Sequence, residues 1–358
     1  MNRPLAAALA AGTLLLAIDP ASARDDLVVA RNAAQTFATL PDGVRYPEGI
    51  TANPATGDIY VATFDFGPNA NKLLRYAKNG HLSAVRDMGG TPLLGLAFDA
   101  ASNKVYLLNM GASKVQRIPA AFGANTPVED VANVPSIGAP GPRSGGNPDG
   151  SSDTTTFGSA GFPAPNAMAF DGGGNLYFSD SFQGAIFRIA AARTCATPCA
   201  VTEVAHDPLL ATAGFPPFGA NGLAFNAAGS ALFIANTGDD RVLKMDLSTS
   251  AITVFAESIN GADGLLLDDQ GRLWVAANQA DEVVALNESG RVIAKLGDFH
   301  GIRKDGAPDG LLFPASMVII GDWMYVTNTA LPLTGMPGAE PEADVTRWTI
   351  ARMKVPKR

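Results

Sequence analysis

A unit of two short β-strands recurs six times along this chain, and no other feature narrows its fold as far. Each unit opens on a small or polar residue, runs through an apolar strand and a Gly/Asn/Asp turn, and enters a second strand on an apolar or aromatic residue. The units begin at Glu48, Leu94, Asn166, Asn221, Asp263 and Ser316, with second strands opening at Ile59, Val105, Leu176, Leu232, Leu273 and Met324. A third strand follows most of them, from Lys72, Lys114, Ala185, Arg241 and Glu282. Spacings of about 40 to 70 residues, without amphipathic helices between the strands, predict an all-β fold, a six-bladed β-propeller with four-stranded blades. This architecture also resolves a problem of size. A chain of 358 residues is too long for one ordinary hydrophobic core, whereas each blade buries its faces against its neighbours. The end of the chain, 345–353, reads as a lone strand expected to close the ring with residues 27–45.

Residues 1–23 read as a secretory signal peptide. Arg3 supplies the positive charge, 5–18 the apolar run, and Ala21-Ser22-Ala23 a small-residue cleavage site. The apolar run is too short to cross about 30 Å of hydrocarbon as a helix, and no later segment offers a membrane span. A single propeller domain over 24–358 is expected, periplasmic or secreted and monomeric. Within it, 119–163 is a Gly/Pro-rich insertion of the kind that is usually functional or disordered, and 300–314 and 329–344 are shorter loops placed to roof one mouth of the ring. Cys195 and Cys199 are the only cysteines. In an oxidising compartment they are expected to form a short-loop disulfide, because a zinc site would need two further soft ligands and the three histidines are scattered. The net charge of −8, with no basic run, excludes nucleic acid as a partner.

The chemistry lies at the first position of the repeat. In a propeller the first strand of each blade lies nearest the axis, so equivalent positions converge on the channel. That position reads Glu48, Leu94, Asn166, Asn221, Asp263 and Ser316 around the ring. Taken singly, Glu48-Gly49, Asn221-Gly222 and Asp263-Gly264 are ordinary turn dipeptides. Together, Glu48, Asn166, Asn221 and Asp263 offer two carboxylates and two amide carbonyls in one register, a hard-oxygen set suited to Ca2+ or another divalent ion such as Zn2+ or Mn2+. Such an ion can act as a Lewis acid on a carbonyl or phosphoryl oxygen. A second polar set, Asn109, Asp180, Asn236 and Asn328 with Thr63, closes the second strands and is expected to bond turn amides. Asp99, Asp171, Asn226 and Asp268 are expected to start turns. No Gly-x-Ser-x-Gly elbow supports a serine hydrolase.

The repeats, above all Asn221 to Asn236 and Asp263 to Ala277, resemble the gluconolactonase / senescence-marker-protein / luciferin-regenerating-enzyme (regucalcin-like) family of six-bladed propellers. The resemblance implies a channel metal held by Glu48, Asn166, Asn221 and Asp263, with Asp263 also the catalytic base or nucleophile. It further implies a hydrolase acting on a small-molecule lactone or ester, most simply opening a sugar or other small lactone. The competing expectation is a non-enzymatic, NHL-like binding or scaffold propeller.

Overall fold

The computed structural model describes residues 27–31, 33–68, 71–158, 162–334, 336 and 338–357. The leader expected over 1–23 lies outside the described residues. Six antiparallel four-stranded blades, five of them built from strands consecutive in the chain, form the six-bladed propeller expected from the repeats. Blade one comprises Pro47–Asn53, Asp58–Thr63, Asn71–Tyr76 and Leu82–Gly89, and the next four follow the same order inward to outward. Their inner strands are Leu93–Asp99, Pro165–Phe170, Ala220–Phe225 and Ala262–Leu267, and that of blade six is Pro314–Ile320. Successive inner strands touch all the way round, the sixth against the first. The second strands, such as Leu273–Ala277 and Ala231–Asn236, are buried throughout, as strands sandwiched between two neighbours must be.

Closure uses both ends of the described chain. Thr349–Lys354 is the third strand of blade six, and Gln35–Thr39 pairs antiparallel with it as the fourth. The expected closing strand is therefore present, and Val28–Ala30 adds a fifth, parallel strand to the outer edge of blade five. The expected insertion over 119–163 is shorter than its composition suggested. Glu129–Asn133 pairs with Lys114–Pro119 as the fourth strand of blade two, so irregular chain begins only after it. Val131 and Ala132 are the buried part of that strand, too brief an apolar signal to stand out in Gly/Pro-rich surroundings. Beyond it, Arg143–Gly146 and Ser152–Thr155 form a separate hairpin. Arg143 donates to Asp239 (2.9 Å), which ties that hairpin across to blade four.

Cys195 and Cys199 form a disulfide in the loop between the third and fourth strands of blade three. The polar residues closing the second strands bond loop amides as expected. Asp180 accepts from the Ala164, Phe182 and Gln183 amides, Asn236 from Asp239, and Asn328 from Leu312. Asp99, Asp171, Asn226 and Asp268 each accept from an amide of the following turn. Among the described residues, no helix is long and apolar enough to cross a membrane.

Candidate functional site

One local device repeats in every inner strand. The pairing of first and second strands slips at the same place in all six blades, for example between Pro47 and Ile50, Ala220 and Leu223, and Ala262 and Leu265. Two residues of the inner strand thus oppose one of its partner, a bulge that re-aims a side chain. The first residue of each bulged pair is Glu48, Leu94, Asn166, Asn221, Asp263 or Ala315. The second residue must be small, because adjacent inner strands meet there. A Cβ on Gly49 would lie 2.2 Å from the Leu94 carbonyl oxygen, and one on Gly222 would lie 2.1 Å from that of Asp263. The sixth position therefore belongs to Ala315, and the expected Ser316 is one residue out of register. Ser316 occupies the small-residue slot that glycine fills in four blades, and it lines the opposite end of the channel.

Glu48, Asn166, Asn221 and Asp263 line one narrow cleft at the axis. All four are buried, each at most 6% exposed. The opposite end of the channel has no ionisable side chain in its lining. His300 is exposed on Phe299–Ile302, and no histidine lines the cleft.

A further row of residues, not singled out from the sequence, orients the amides and the aspartate. Asn166 Nδ2 donates to Ser181 Oγ (2.9 Å) and Asn221 Nδ2 to Thr237 Oγ1 (2.9 Å). Asn278 Nδ2 donates to Asp263 Oδ2 (3.0 Å). Each partner sits immediately after the second strand of its own blade, a repeated position legible as Asp180-Ser181, Asn236-Thr237, Ala277-Asn278 and Asn328-Thr329. Its hydroxyls also stitch blades together. Ser181 donates to the Ala220 carbonyl (2.7 Å), Thr237 to that of Ala262 (2.7 Å) and Thr329 to that of Pro47 (2.5 Å).

With their amide nitrogens engaged, the oxygens are left over. Glu48 Oε2, Asn166 Oδ1, Asp263 Oδ1 and Asn278 Oδ1 are buried without a hydrogen-bond partner in the protein. A buried, unpartnered polar atom costs roughly 1–3 kcal/mol; Asn278 Oδ1 packs against Gly261, and the three oxygens of Glu48, Asn166 and Asp263 beside one cleft call for a ligand. Burial pushes the Glu48 carboxyl well above the usual range, and the nearby Asp263 charge pushes it further. Burial also lifts Asp263, to about 7, against the downward pull of the Asn278 and Asn221 amides. Two carboxyls that oppose each other's ionisation are what a dication between them would reconcile. Among the described residues no three His, Cys, Asp or Glu side chains cluster, so the donors are carboxylate and carboxamide oxygens, which could hold a hard cation.

Comparison with known proteins agrees with the architecture. Residues 201–297, which carry Asn221 and Asp263, match the family described as SMP-30/Gluconolactonase/LRE-like region. No curated protein sequence matches the chain. Among solved structures, a calcium-binding protein, regucalcin, from Agrobacterium tumefaciens superposes with a TM-score of 0.61 at 18% identity, over 92% of this chain and 97% of that one. A luciferin-regenerating enzyme superposes with a TM-score of 0.60 at 15% identity, over 88% and 92%. A gluconolactonase from Xanthomonas campestris gives 0.54 at 14%, over 90% and 89%. The family resemblance read from the repeats thus holds, and the solved structures share the fold.

Proposed function

We propose that this protein is an exported, divalent-cation-dependent hydrolase of the lactonase or esterase type, with calcium as its ion. The observation that carries this reading is the set of orphaned, buried oxygens from Glu48, Asn166 and Asp263 in one cleft, where two carboxyls are forced to compete for a proton. The likeness to a calcium-binding neighbour and to a gluconolactonase points the same way. Export is supported by the leader-like run at 1–23 and by the Cys195–Cys199 disulfide.

In this reading Glu48, Asn166, Asn221 and Asp263 hold the ion through oxygen, with Asn278 keeping the Asp263 carboxylate in place. When bound, the ion polarises an ester carbonyl and offsets the negative charge that develops on its oxygen. Asp263 serves as the base. Its carboxylate takes a proton from water as the water oxygen bonds to the carbonyl carbon. The ring C–O bond then breaks, the leaving oxygen recovers a proton, and a hydroxy acid departs. Ser181 and Thr237 act as positioning residues by fixing the two amides. The apolar cleft excludes water from the other faces of the site.

The test is a thermal-shift and lactone-hydrolysis assay with calcium and with chelator. Calcium should raise the melting temperature and support turnover that Asp263→Asn abolishes. Absence of any shift with calcium, manganese or zinc would refute the ion and leave a scaffold propeller, and full turnover by Asp263→Asn would refute its role as base.

A further inference from the structure

The wall that faces the proposed ion is unusual for a site that handles sugars. Besides the acidic and amide groups, the cleft is lined by Phe64, Leu94, Phe218, Phe313, Leu331 and Leu333, with Pro216 beside them. No lysine or arginine lines it, and its two hydroxyls are already committed. Thr237 Oγ1 donates to Ala262, and Thr329 Oγ1 donates to Pro47. With the buried oxygens turned to the ion, a polyol entering this cleft would lose hydration from several hydroxyls and find no free hydroxyl and no cationic side chain to replace it.

The apolar surface does not stop at the cleft. Phe64 and Phe218 lie edge to face at 6.2 Å, Phe218 stacks on Phe182 at 5.6 Å, and Phe182 meets Phe162 at 5.4 Å. On the other side Phe64 meets Phe66 at 5.0 Å. Both ends of this chain of rings are open to solvent, Phe66 being 70% and Phe162 47% exposed, and Phe215, next to Pro216 of the cleft, is 60% exposed. Exposed aromatic rings in one continuous track are rare on a soluble surface and mark a binding site. The middle of the track, Phe64 and Phe218, lines the same cleft as the buried oxygens.

We infer that the substrate of this site is a lactone or ester bearing an apolar body, an alkyl chain or an aryl group, and that the aromatic track binds that body while the carbonyl faces the oxygen donors. The inference rests on the hydrolase reading above and narrows it away from sugar lactones. Each methylene buried along the track should strengthen binding about four-fold.

The experiment compares kcat/KM of the calcium-loaded wild-type protein on γ-butyrolactone, its 5-butyl and 5-hexyl derivatives, and glucono-1,5-lactone. The expected result is a rise of at least ten-fold from the unsubstituted ring to the hexyl derivative, with the sugar lactone poorest. The hexyl-to-unsubstituted ratio should fall at least five-fold in Phe218→Ala, and should fall in the solvent-exposed Phe66→Ser and Phe162→Ser. A flat series or a preference for the sugar lactone overturns the inference and leaves the hydrolase reading standing. If no lactone turns over, it is the hydrolase reading that fails. The track is then judged by calorimetric titration with the matching γ-lactams, where affinity rising with chain length supports it and equal affinities overturn it.

Discussion

Replacing Asp263 by asparagine should make the cation-free protein more stable at alkaline pH, although it removes a residue at the centre of the site. In the folded protein burial raises the Asp263 carboxyl from 3.8 to about 7. Between those limits the folded state holds a proton that the unfolded chain has released, so stability falls as pH rises through this window and levels off above it. A rise of about three pKa units corresponds to roughly 4 kcal/mol at most, with part of it shared with Glu48, whose own carboxyl is raised by the Asp263 charge. An asparagine keeps the shape, and its amide oxygen can accept the Asn278 bond that Asp263 Oδ2 accepts now. In chelator, Asp263→Asn should therefore match the wild type near pH 4 and exceed it by up to about 4 kcal/mol at pH 8. Excess calcium should reverse the order by favouring both carboxylates in the wild type. Urea denaturation followed by circular dichroism at pH 4, 6 and 8, with chelator and with calcium, measures each difference. The reasoning is refuted if, in chelator at pH 8, the variant is less stable than the wild type.

Two further substitutions test how the cradle is built. Gly222→Ala should lower stability by about 1–3 kcal/mol and weaken calcium binding, because its Cβ would collide with the Asp263 carbonyl oxygen across the blade interface; an unchanged denaturation midpoint would contradict this. Thr237→Val strips the partner from the Asn221 amide and from the Ala262 carbonyl. Calcium affinity measured by titration calorimetry should fall about 10–100-fold, as for other groups that orient a ligand from behind, and unaltered affinity would remove Thr237 from the site.

The propeller was legible because every blade repeats the same requirement: a buried second strand and a small residue where inner strands meet. The convergence of Glu48, Asn166, Asn221 and Asp263 on one cleft was legible for the same reason, since a shared register in the repeat becomes a shared place on the axis. The sixth blade misled because Ala315-Ser316 has neither the polar first residue nor the glycine that anchors the register elsewhere, and only the bulge between Pro314 and Met317 settles it. Asn278 went unnoticed although its position recurs, because the residue there changes chemistry from blade to blade, Ser181, Thr237, Asn278 and Thr329 among the polar blades and Phe64 and Met110 in the other two. The aromatic track carries no periodic signal at all. Phe64, Phe162, Phe182 and Phe218 come from different connections, and only the assembled ring brings them together.

Strands from both ends of the described chain, Gln35–Thr39 and Thr349–Lys354, are woven into blade six, and the Thr327 hydroxyl that grips the Glu48 carbonyl stands 279 residues downstream of it. Closure of the ring thus depends on strands that carry none of the four donors. A clipped polypeptide that keeps all four oxygen donors but lacks the last strand should bind calcium more weakly than the whole protein, because nothing draws its first sector against its sixth. Loss of the final strand alone, which contains none of the donors, would leave the circle open and silence a centre on the far side of the sequence.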